Sequence, residues 1–466
     1  MNGIVLIAAR DFREVQRDGR LLWTGGLILL LLLTALAVGW QRQAVLEAER
    51  VTAQAVDYDD WVAQPARHPH DAAEQGMHVF KPEPPLSIID PGIEPYVGST
   101  LWLQAHRQSE TKFTPAQDTT GLQRFGTLSG AWVIQVLGPL LVIILGFNAF
   151  AGEREQGTLR QVMSLGVSAP SLLAGKALAL GWSLAILLLP AGLVGAAAAL
   201  IQSDPSRLAD TIARLASLAL GYAVYLGIWI FVVLAVSARI RTSRLALIVL
   251  LGCWIASAVL LPRAISDLSD VLFPSPSRTA FNRALDDDLG RTQRRVWREQ
   301  FGVDSAWSPD LPLSKWGVAL AKNDHAGYAV FDRHYGTLWD NFERQRRAQE
   351  LSGFVAPTLA LRSFSMAMAG TDFAEHRDFA AAAERHRRTI QDMVSADLVA
   401  HDDPLGNQHF AYKADRSFWA KVPRFEYRTP MAGFAWRAGW LSAGVLFVTL
   451  LLSAAAALLL TPRRPL

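Results

Sequence analysis

Cysteine and charge are both scarce in this 466-residue chain, which has one cysteine, Cys253, and only 19% charged residues. A lone cysteine excludes a disulfide scaffold, and Cys253 is predicted to be a small apolar packing residue rather than a reactive thiol. The 45 basic and 42 acidic side chains leave a net charge of +3, which gives no support for nucleic-acid binding. The 51% hydrophobic share excludes a disordered or fibrous protein.

Motifs for binding nucleotides and for covalent catalysis are missing as well. Gly175-Lys176 comes nearest to a phosphate-binding loop, but Pro170 stands where that loop needs glycine, and Ala177 stands where it needs Ser or Thr. The sequence has no nucleophile elbow, Ser-x-x-Lys or histidine-kinase-like box. We therefore predict that the chain is not an enzyme and holds no cofactor, and that it is either passive or takes energy from a partner.

Long apolar runs are abundant, and six of them reach the length of about 20 residues that a helix needs to cross a bilayer. The predicted spans are residues 21–40, 128–150, 177–202, 215–236, 245–262 and 438–461. Their interiors contain no Asp, Glu, Lys, Arg or His, which argues against an ion-coupled carrier or a proton channel. The predicted fold class is an all-α polytopic membrane protein with six transmembrane helices.

Lysine and arginine counts orient these spans. Segments 1–20, 151–176, 237–244 and 462–466 carry twelve positive side chains, whereas the short loop 203–214 carries two, Arg207 and Arg214. By the positive-inside rule both termini are predicted to be cytoplasmic. The twelve are Arg10, Arg13, Arg17, Arg20, Arg154, Arg160, Lys176, Arg239, Arg241, Arg244, Arg463 and Arg464. The alternative, a signal peptide cleaved after Ala35-Leu36-Ala37, is disfavoured because the charged leader and the apolar run are too long.

This topology places two large insertions outside, residues 41–127 and 263–437. The first is proline-rich and is predicted to be extended or turn-rich after a helical start near Gln41–Val56. The second is predicted to be mainly helical, with Thr371 or Asp372 as one helix cap. Its predicted helices are Arg278–Gln300, Tyr328–Gly353 and Thr371–Leu398. Pro357, Gly370 and Pro404 are expected to separate them.

All ten histidines fall in these two insertions. The sequence contains no His-x₃-His, His-Glu-x-x-His or cysteine pair, and His376 and His386 stand too far apart on one helix to share a metal ion. We therefore expect solvated surface histidines and no metal site.

Segment 151–176 contains Glu153-Arg154-Glu155-Gln156-Gly157-Thr158-Leu159, followed by Ala169-Pro170 and Gly175-Lys176. It resembles the type 2 permeases of ABC transporters, whose first cytoplasmic loop has a Glu-x-Glu-x-Gly-Thr-Leu core, then a proline-containing turn and Gly-Lys. The resemblance implies that this loop is the coupling helix that receives the motion of an ATPase. The residues it implicates are Glu153, Arg154, Glu155, Gly157, Thr158, Leu159, Val162, Met163 and Lys176. Arg160 and Gln161 depart from the family, where acidic residues are common.

Local physics supports this interpretation. Gly157 permits a tight break, Thr158 is predicted to cap a short helix over Leu159–Leu165, and Leu159, Val162 and Met163 form an apolar face for docking into the ATPase. The glutamates supply charge for basic groups of the partner. The alternative is an amphipathic loop with interfacial charges and no partner.

Two further segments extend the resemblance. Ile4, Val5, Ala8, Phe12 and Val15 form one stripe of a basic amphipathic helix, comparable to the connecting helix that precedes the first span in type 2 permeases. Residues 361–373 look like the signature of an outer domain of unknown function found between spans five and six in a sub-branch often labelled multicopper enzyme maturation permease. That label does not imply copper, because Met366, Met368 and Met393 are too few for a copper-binding tract.

The resemblance implies a permease subunit of a bacterial ABC exporter in the inner membrane, with its large domains in the periplasm. It implies a dimer with itself or a sister permease, and a cytoplasmic ATPase dimer that holds ATP and Mg²⁺. The second and fifth spans of the family face the dimer axis, so the candidates for lining a path are Gln135, Asn148, Cys253 and Ser257. Two alternatives stay open: ATP-driven mechanical work on an extracytoplasmic protein, and a passive membrane-anchored scaffold.

Overall fold

In a computed structural model of the chain, the structure describes residues 3–108, 111–112, 128–305, 308, 310–311, 315–401 and 411–462. The α-helices, numbered α1 to α18 in chain order, are Gly3–Arg17, Gly26–Ala63, Pro69–Gln75, Glu94–Val97, Gly130–Trp132, Gly138–Gly146, Ala151–Glu155, Thr158–Ser164, Ala169–Ile201, Leu208–Arg239, Ser243–Ile255, Leu261–Leu272, Arg278–Phe301, Trp316–Leu351, Pro357–Ala369, Phe373–Ala400, Arg416–Trp419 and Ala432–Leu460. The described part of the chain also contains three π-helical turns next to these helices, at Leu21–Gly25, Val133–Leu137 and Ala256–Leu260. Arg463 and Arg464, which count toward the membrane orientation, and Pro404, which is expected to interrupt the helices, lie outside the described residues.

The prediction of six membrane-spanning segments in an all-α fold is confirmed. Among the residues that the structure describes, six helical segments are long and apolar enough to cross a membrane: Leu21–Ala63, Gly130–Glu155, Ala169–Ile201, Pro205–Arg239, Ser243–Leu272 and Ala432–Leu460. Their hydrophobic contacts form one continuous core, because apolar side chains on neighbouring helices face each other across the bundle. The fifth segment is the least covered by the rest of the chain, with 17% of its most apolar stretch buried.

Helix α2 leaves the apolar bundle without a break. It runs for 38 residues from Gly26 to Ala63, so the predicted helical start of the first insertion is the continuation of the first span. Its far end carries Trp61, which is buried among residues of both insertions. The membrane part and the inserted part of the chain are therefore joined by one rigid element.

The two insertions pack on a common core, and we call their described residues, 41–112 and 263–437, the inserted body. Trp61 packs edge-on against Trp419 with ring centroids 5.8 Å apart, and Tyr58 donates a hydrogen bond to the carbonyl of Val422 at 2.9 Å. A small antiparallel sheet lies beside this core, in the order β1 (Met77–Phe80), β2 (Thr100–Leu103) and β3 (Thr111–Lys112). Met77 pairs with Leu103 and Thr100 with Lys112, which fixes the register.

The helices predicted for the second insertion are present, with one long extension. Helices α13 and α16 follow the predicted bounds closely, but α14 begins at Trp316 rather than Tyr328. The cap of α16 is Asp372, whose carboxylate accepts a hydrogen bond from the backbone N–H of Glu375 at 3.0 Å. Gly370, with φ +76°, ends α15 in the left-handed conformation that glycine adopts without a steric penalty.

Helix α15 belongs to the second insertion but packs inside the membrane core. It carries six members of that core: Ala360, Leu361, Phe364, Ala367, Met368 and Ala369. A Cβ on Gly221 of α10 would lie 2.5 Å from the Phe364 ring, so α10 and α15 approach each other at a distance that only glycine allows. The segment 361–373, expected to mark an outer domain, thus wedges that domain between membrane helices.

Candidate functional site

Helices α7 and α8 form a corner at the end of the bundle opposite the inserted body, and we call residues 151–166 the α7–α8 corner. Gly157 joins the two helices with φ +74°, as expected for a tight break, and nothing lies within 4 Å of where its Cβ would stand. The prediction that Thr158 caps α8 is wrong. Gly157 occupies the cap position, Thr158 is the first helical residue, and its hydroxyl donates to the carbonyl of Glu153 at 3.2 Å.

The apolar face of α8 points into the chain's own core. Leu159 is 5% exposed, and Val162 and Met163 pack against the same core. Leu159 is therefore used in the contact of α8 with the bundle, whereas Val162 and Met163 are each only partly buried. The outward surface consists instead of polar residues and Leu165, whose side chain is 81% exposed.

The polar residues of the corner are bonded to two further spans. Arg154 donates to the carbonyls of Ala238 and Ile240, both at 2.6 Å, where the C-terminal carbonyls of α10 lack helical partners. Glu155 accepts from the backbone N–H and the hydroxyl of Ser243 at 3.1 and 2.6 Å, and so caps the first turn of α11. Both side chains therefore bind helix ends of their own chain.

Lys176 stands at the centre of a buried ionic cluster that ties the corner to α1 and α9. Its ammonium lies 3.0 Å from a carboxylate oxygen of Asp11 and 3.0 Å from one of Glu153, and its side chain is only 3% exposed. Arg10 adds a weaker contact to Glu153 at 3.7 Å. The sequence implicated Lys176 and Glu153 but missed Asp11, whose only signal is an acidic side chain beside Phe12 on the amphipathic stripe of α1.

Gly175, which precedes Lys176, allows helices α1 and α9 to pack closely. A Cβ there would lie 2.6 Å from Ile7 Cγ2 and 3.1 Å from the carbonyl of Ile4, so α1 lies directly against α9. Phe12 extends the contact, with its ring edge-on to Trp182 at 6.3 Å. The predicted amphipathic helix α1 is thus held in place by a close approach and an ion pair at adjacent positions.

The four residues predicted to line a path have different surroundings. Gln135 and Ser257 are each 6% exposed, and both lie in π-helical turns, which often mark functional irregularities in a span. Asn148 accepts hydrogen bonds from Arg20, the shorter at 3.4 Å. Cys253 is exposed on the fifth span and packs against no other part of the described core of its own chain.

At the opposite end of the bundle, a buried polar chain joins α10 to the inserted body. Tyr222 hydrogen-bonds Ser365 at 2.8 Å, and Ser365 donates to Asp90, whose pKa is raised by burial. Arg214 donates to the carbonyl of Met368 at 3.3 Å and lies 3.9 Å from Glu375. Burial raises the pKa of Glu375 to about 8, more than Arg214 lowers it. Sequence reasoning missed this linkage, because its members are far apart in the chain.

The expectation that the histidines are solvated surface groups is wrong for several of them. His68 is 3% exposed, and His70 and His106 are half-buried. Burial, followed by the charges of His106 and His68, lowers the pKa of His70 to about 4.

Two protein families match the chain. Residues 5–285, more than half of its length, match the ABC-2 family transporter proteins. Residues 275–428, which lie between the fifth and sixth membrane segments, match a domain of unknown function, DUF3526. No curated protein matches the chain.

Proposed function

The chain belongs to the ABC-2 family of transporter proteins and is a membrane subunit of an ABC transporter, and on that premise we propose that the α7–α8 corner receives the motion of a separate ATPase. ATP and Mg²⁺ bind to the ATPase, and this chain converts the movement of that partner into a rearrangement of its own spans. The proposal places the corner in the cytoplasm of a bacterium and the inserted body in the periplasm, consistent with the positive charges near the corner.

The observation that carries the proposal is the set of charged contacts that fasten the corner to three spans. Lys176 joins it to α9, Arg154 to the end of α10, and Glu155 to the start of α11. Charge-assisted hydrogen bonds of this kind are shorter and stronger than neutral ones. A push on the corner therefore displaces three spans together, as a rigid-body transition requires.

The contact surface for the ATPase is the outward side of α8 and the turn after it, not the apolar face expected from the sequence. Leu165 is the most exposed large apolar side chain of that surface, at 81%. Gly166 follows it with φ +79°, which turns the chain toward α9. A projecting leucine rimmed by polar side chains fits the anatomy of a protein interface.

Affinity purification of the tagged full chain from its native membrane tests this proposal. We expect an ATP-binding protein to remain bound to the wild type and to be lost from Leu165→Asp, which introduces a charge into the contact without disturbing a buried side chain. Val399→Asp is the matched control, because Val399 is 43% exposed on α16 of the inserted body. If the wild type retains no ATPase in mild detergent, or if both variants retain it equally, the coupling proposal fails and a passive scaffold becomes the better explanation.

Two outputs of the motion are compatible with family membership, export of a substrate and mechanical work on a periplasmic partner. The packing of α15 favours mechanical work in addition to export. The inserted body packs against α10 at Gly221 and is hydrogen-bonded to it through Tyr222 and Arg214. Any displacement of α10 therefore moves α15 and, with it, the inserted body.

The ATPase activity of the complex distinguishes these outputs. Stimulation by a small molecule supports export, whereas stimulation only by a periplasmic protein supports mechanical work. Gly221→Ala should abolish protein-dependent stimulation by forcing α15 away from α10, and Phe364→Leu in the same chain should restore it by making room for the new methyl group. Equal stimulation in Gly221→Ala and the wild type would contradict the mechanical output.

We further propose that a second permease subunit, identical or a sister chain, covers the fifth span. That span has the lowest buried fraction of the six, and its exposed large side chains from Leu245 to Leu260 are apolar. Cys253 lies exposed on it and is the sole cysteine of the sequence. Treatment of native membranes with a short bis-maleimide should produce a covalent homodimer that Cys253→Ser abolishes; a chain that stays monomeric within an intact complex would point to a sister permease.

A further inference from the structure

Three side chains of the first insertion, all of types that bind metal ions, lie close together in the inserted body. His70 and Glu74 stand one turn apart on α3, and His106 lies in the turn after β2. One ligand atom from each of the three lies within 4.8 Å of the others. The closest pair of ring nitrogens, His70 Nδ1 and His106 Nε2, are 3.4 Å apart, and His70 Nε2 lies 3.4 Å from Glu74 Oε1.

His106 is held in one orientation by two independent features. Its Nδ1 lies 2.6 Å from a carboxylate oxygen of Asp324, a residue of α14 whose side chain is 5% exposed. When His106 is neutral and its Nδ1–H donates to Asp324, the lone pair of Nε2 is directed at His70. His106 also has φ +58°, the only positive φ at a non-glycine position among the residues that the structure describes. Strained backbone of this kind persists where the surroundings fix a functional side chain.

We propose that His70, Glu74 and His106 bind one divalent transition-metal ion of the zinc class. Two nitrogens bound to a tetrahedral zinc ion at 2.0–2.1 Å lie about 3.3 Å apart, which matches the separation of His70 Nδ1 from His106 Nε2. The carboxylate–histidine–metal arrangement of Asp324 and His106 is the usual support of a histidine ligand. Glu74, now paired with His70 Nε2, is 58% exposed and so has room to turn its carboxylate toward the ion as the third ligand. Two nitrogens, one oxygen and an open fourth position suit zinc rather than calcium or magnesium.

The ion would join the two insertions. The three ligands come from the first insertion, whereas Asp324, which orients His106, comes from α14 of the second. No common metal-binding spacing marks this site in the sequence, because the helical pair is His70-x₃-Glu74 rather than His-x₃-His and the remaining histidine is 36 residues farther along.

The alternative is a protonated His106 that donates to both Asp324 and His70, with no metal ion. Equilibrium binding of Zn²⁺ to the full-length chain in detergent, purified with a tag that contains no histidine, separates the two. We expect one Zn²⁺ per chain and an increase in the midpoint of thermal unfolding that grows with Zn²⁺ concentration. Co²⁺ in the same site should give the intense visible absorption of a tetrahedral complex.

Three variants assign the site. Glu74→Gln and His70→Gln remove a ligand each and should abolish the Co²⁺ absorption; the first changes an exposed side chain and leaves the fold intact. Asp324→Asn should weaken Zn²⁺ affinity by about 10–100-fold, the usual effect of losing the carboxylate behind a histidine ligand. His78→Gln is the matched control, since His78 pairs with Asp57 at 2.8 Å in the same body.

The outcome that overturns the proposal is a wild-type chain that binds no stoichiometric Zn²⁺. The proposal also fails if Glu74→Gln and His70→Gln bind Zn²⁺ as tightly as His78→Gln, because the metal would then lie elsewhere. Neither result depends on ATPase coupling, so this test is separate from that of the proposed function.

Discussion

Replacing Lys176 by methionine should release α1 and loosen the α7–α8 corner. Methionine keeps most of the side-chain volume but removes the ammonium that lies 3.0 Å from both Asp11 and Glu153. The side chains of these acids are 14% and 11% exposed, so water replaces the lost partner only in part. Their oxygens lie no farther apart than twice 3.0 Å, and two like charges at about 6 Å repel by about 3 kcal/mol at an effective dielectric constant of about 20.

Removal of one partner from a buried ion pair costs about 3–5 kcal/mol, which agrees with that figure. The unfolding entropy is about 2 cal/mol/K per residue, summed over 466 residues. Dividing the lost free energy by this entropy gives a midpoint of thermal unfolding that is lower by about 3–5 °C. The assay is thermal unfolding of the purified full chain, together with protease cleavage near α1. Lys322→Met is the control: Lys322 is exposed on α14, and its replacement should cost about 0.5 kcal/mol or less.

A triple variant, Asp11→Asn, Glu153→Gln and Lys176→Met, refines the test. It leaves no buried charge unpaired, so stability should return to near the wild-type value. The reasoning is refuted if Lys176→Met unfolds at the wild-type temperature with α1 still protected, or if the triple variant is less stable than the single one.

Three further changes have defined outcomes. Gly175→Ala should cost about 1–3 kcal/mol because its methyl group would lie 2.6 Å from Ile7, whereas Gly181→Ala on the same helix meets nothing within 4 Å and should be neutral or stabilising in thermal unfolding. Burial raises the pKa of Glu375 from 4.5 to about 8, so the folded chain keeps a proton that the unfolded chain loses. Stability from this group should therefore fall as pH rises from about 5 to about 8, and Glu375→Gln should flatten the measured pH dependence of the unfolding midpoint; an unchanged slope would contradict the shift. Gly157→Ala should destabilise the corner by about 1 kcal/mol and Gly157→Asn by less, since asparagine tolerates positive φ; equal unfolding midpoints for these two variants would show that the left-handed turn is not required.

Much of the architecture was predictable because it depends on local pattern. Apolar runs of membrane length gave the six spans, and the Glu-x-Glu-x-Gly-Thr-Leu core gave the family that the match over residues 5–285 confirms. The extra domain between the fifth and sixth spans is confirmed by the match over residues 275–428. Gly157 was predictable for the same reason, since a glycine in an otherwise helical stretch marks a break.

What the sequence concealed depends on contacts between distant residues. The apolar side of α8 could face a partner or the chain itself, and only the bundle shows that Leu159 packs inward. The inward wedge of α15 was hidden because its composition suits either a membrane core or the core of an outer domain. Asp324 and His106 are 218 residues apart, so no spacing rule could pair them.

The length of the unbroken helix α2 determines how far its outer end moves when its membrane end tilts. A helix of 38 residues is about 57 Å long, because each residue advances the axis by about 1.5 Å. A tilt of about 5° at its membrane end therefore displaces its tip by about 5 Å, roughly one helical turn. Since Trp61 near that tip is locked into the core shared by both insertions, the displacement is not absorbed by a flexible linker. Helix α2 thus acts as a lever arm that enlarges a small angular change in the bundle into a shift of several ångströms in the core of the inserted body.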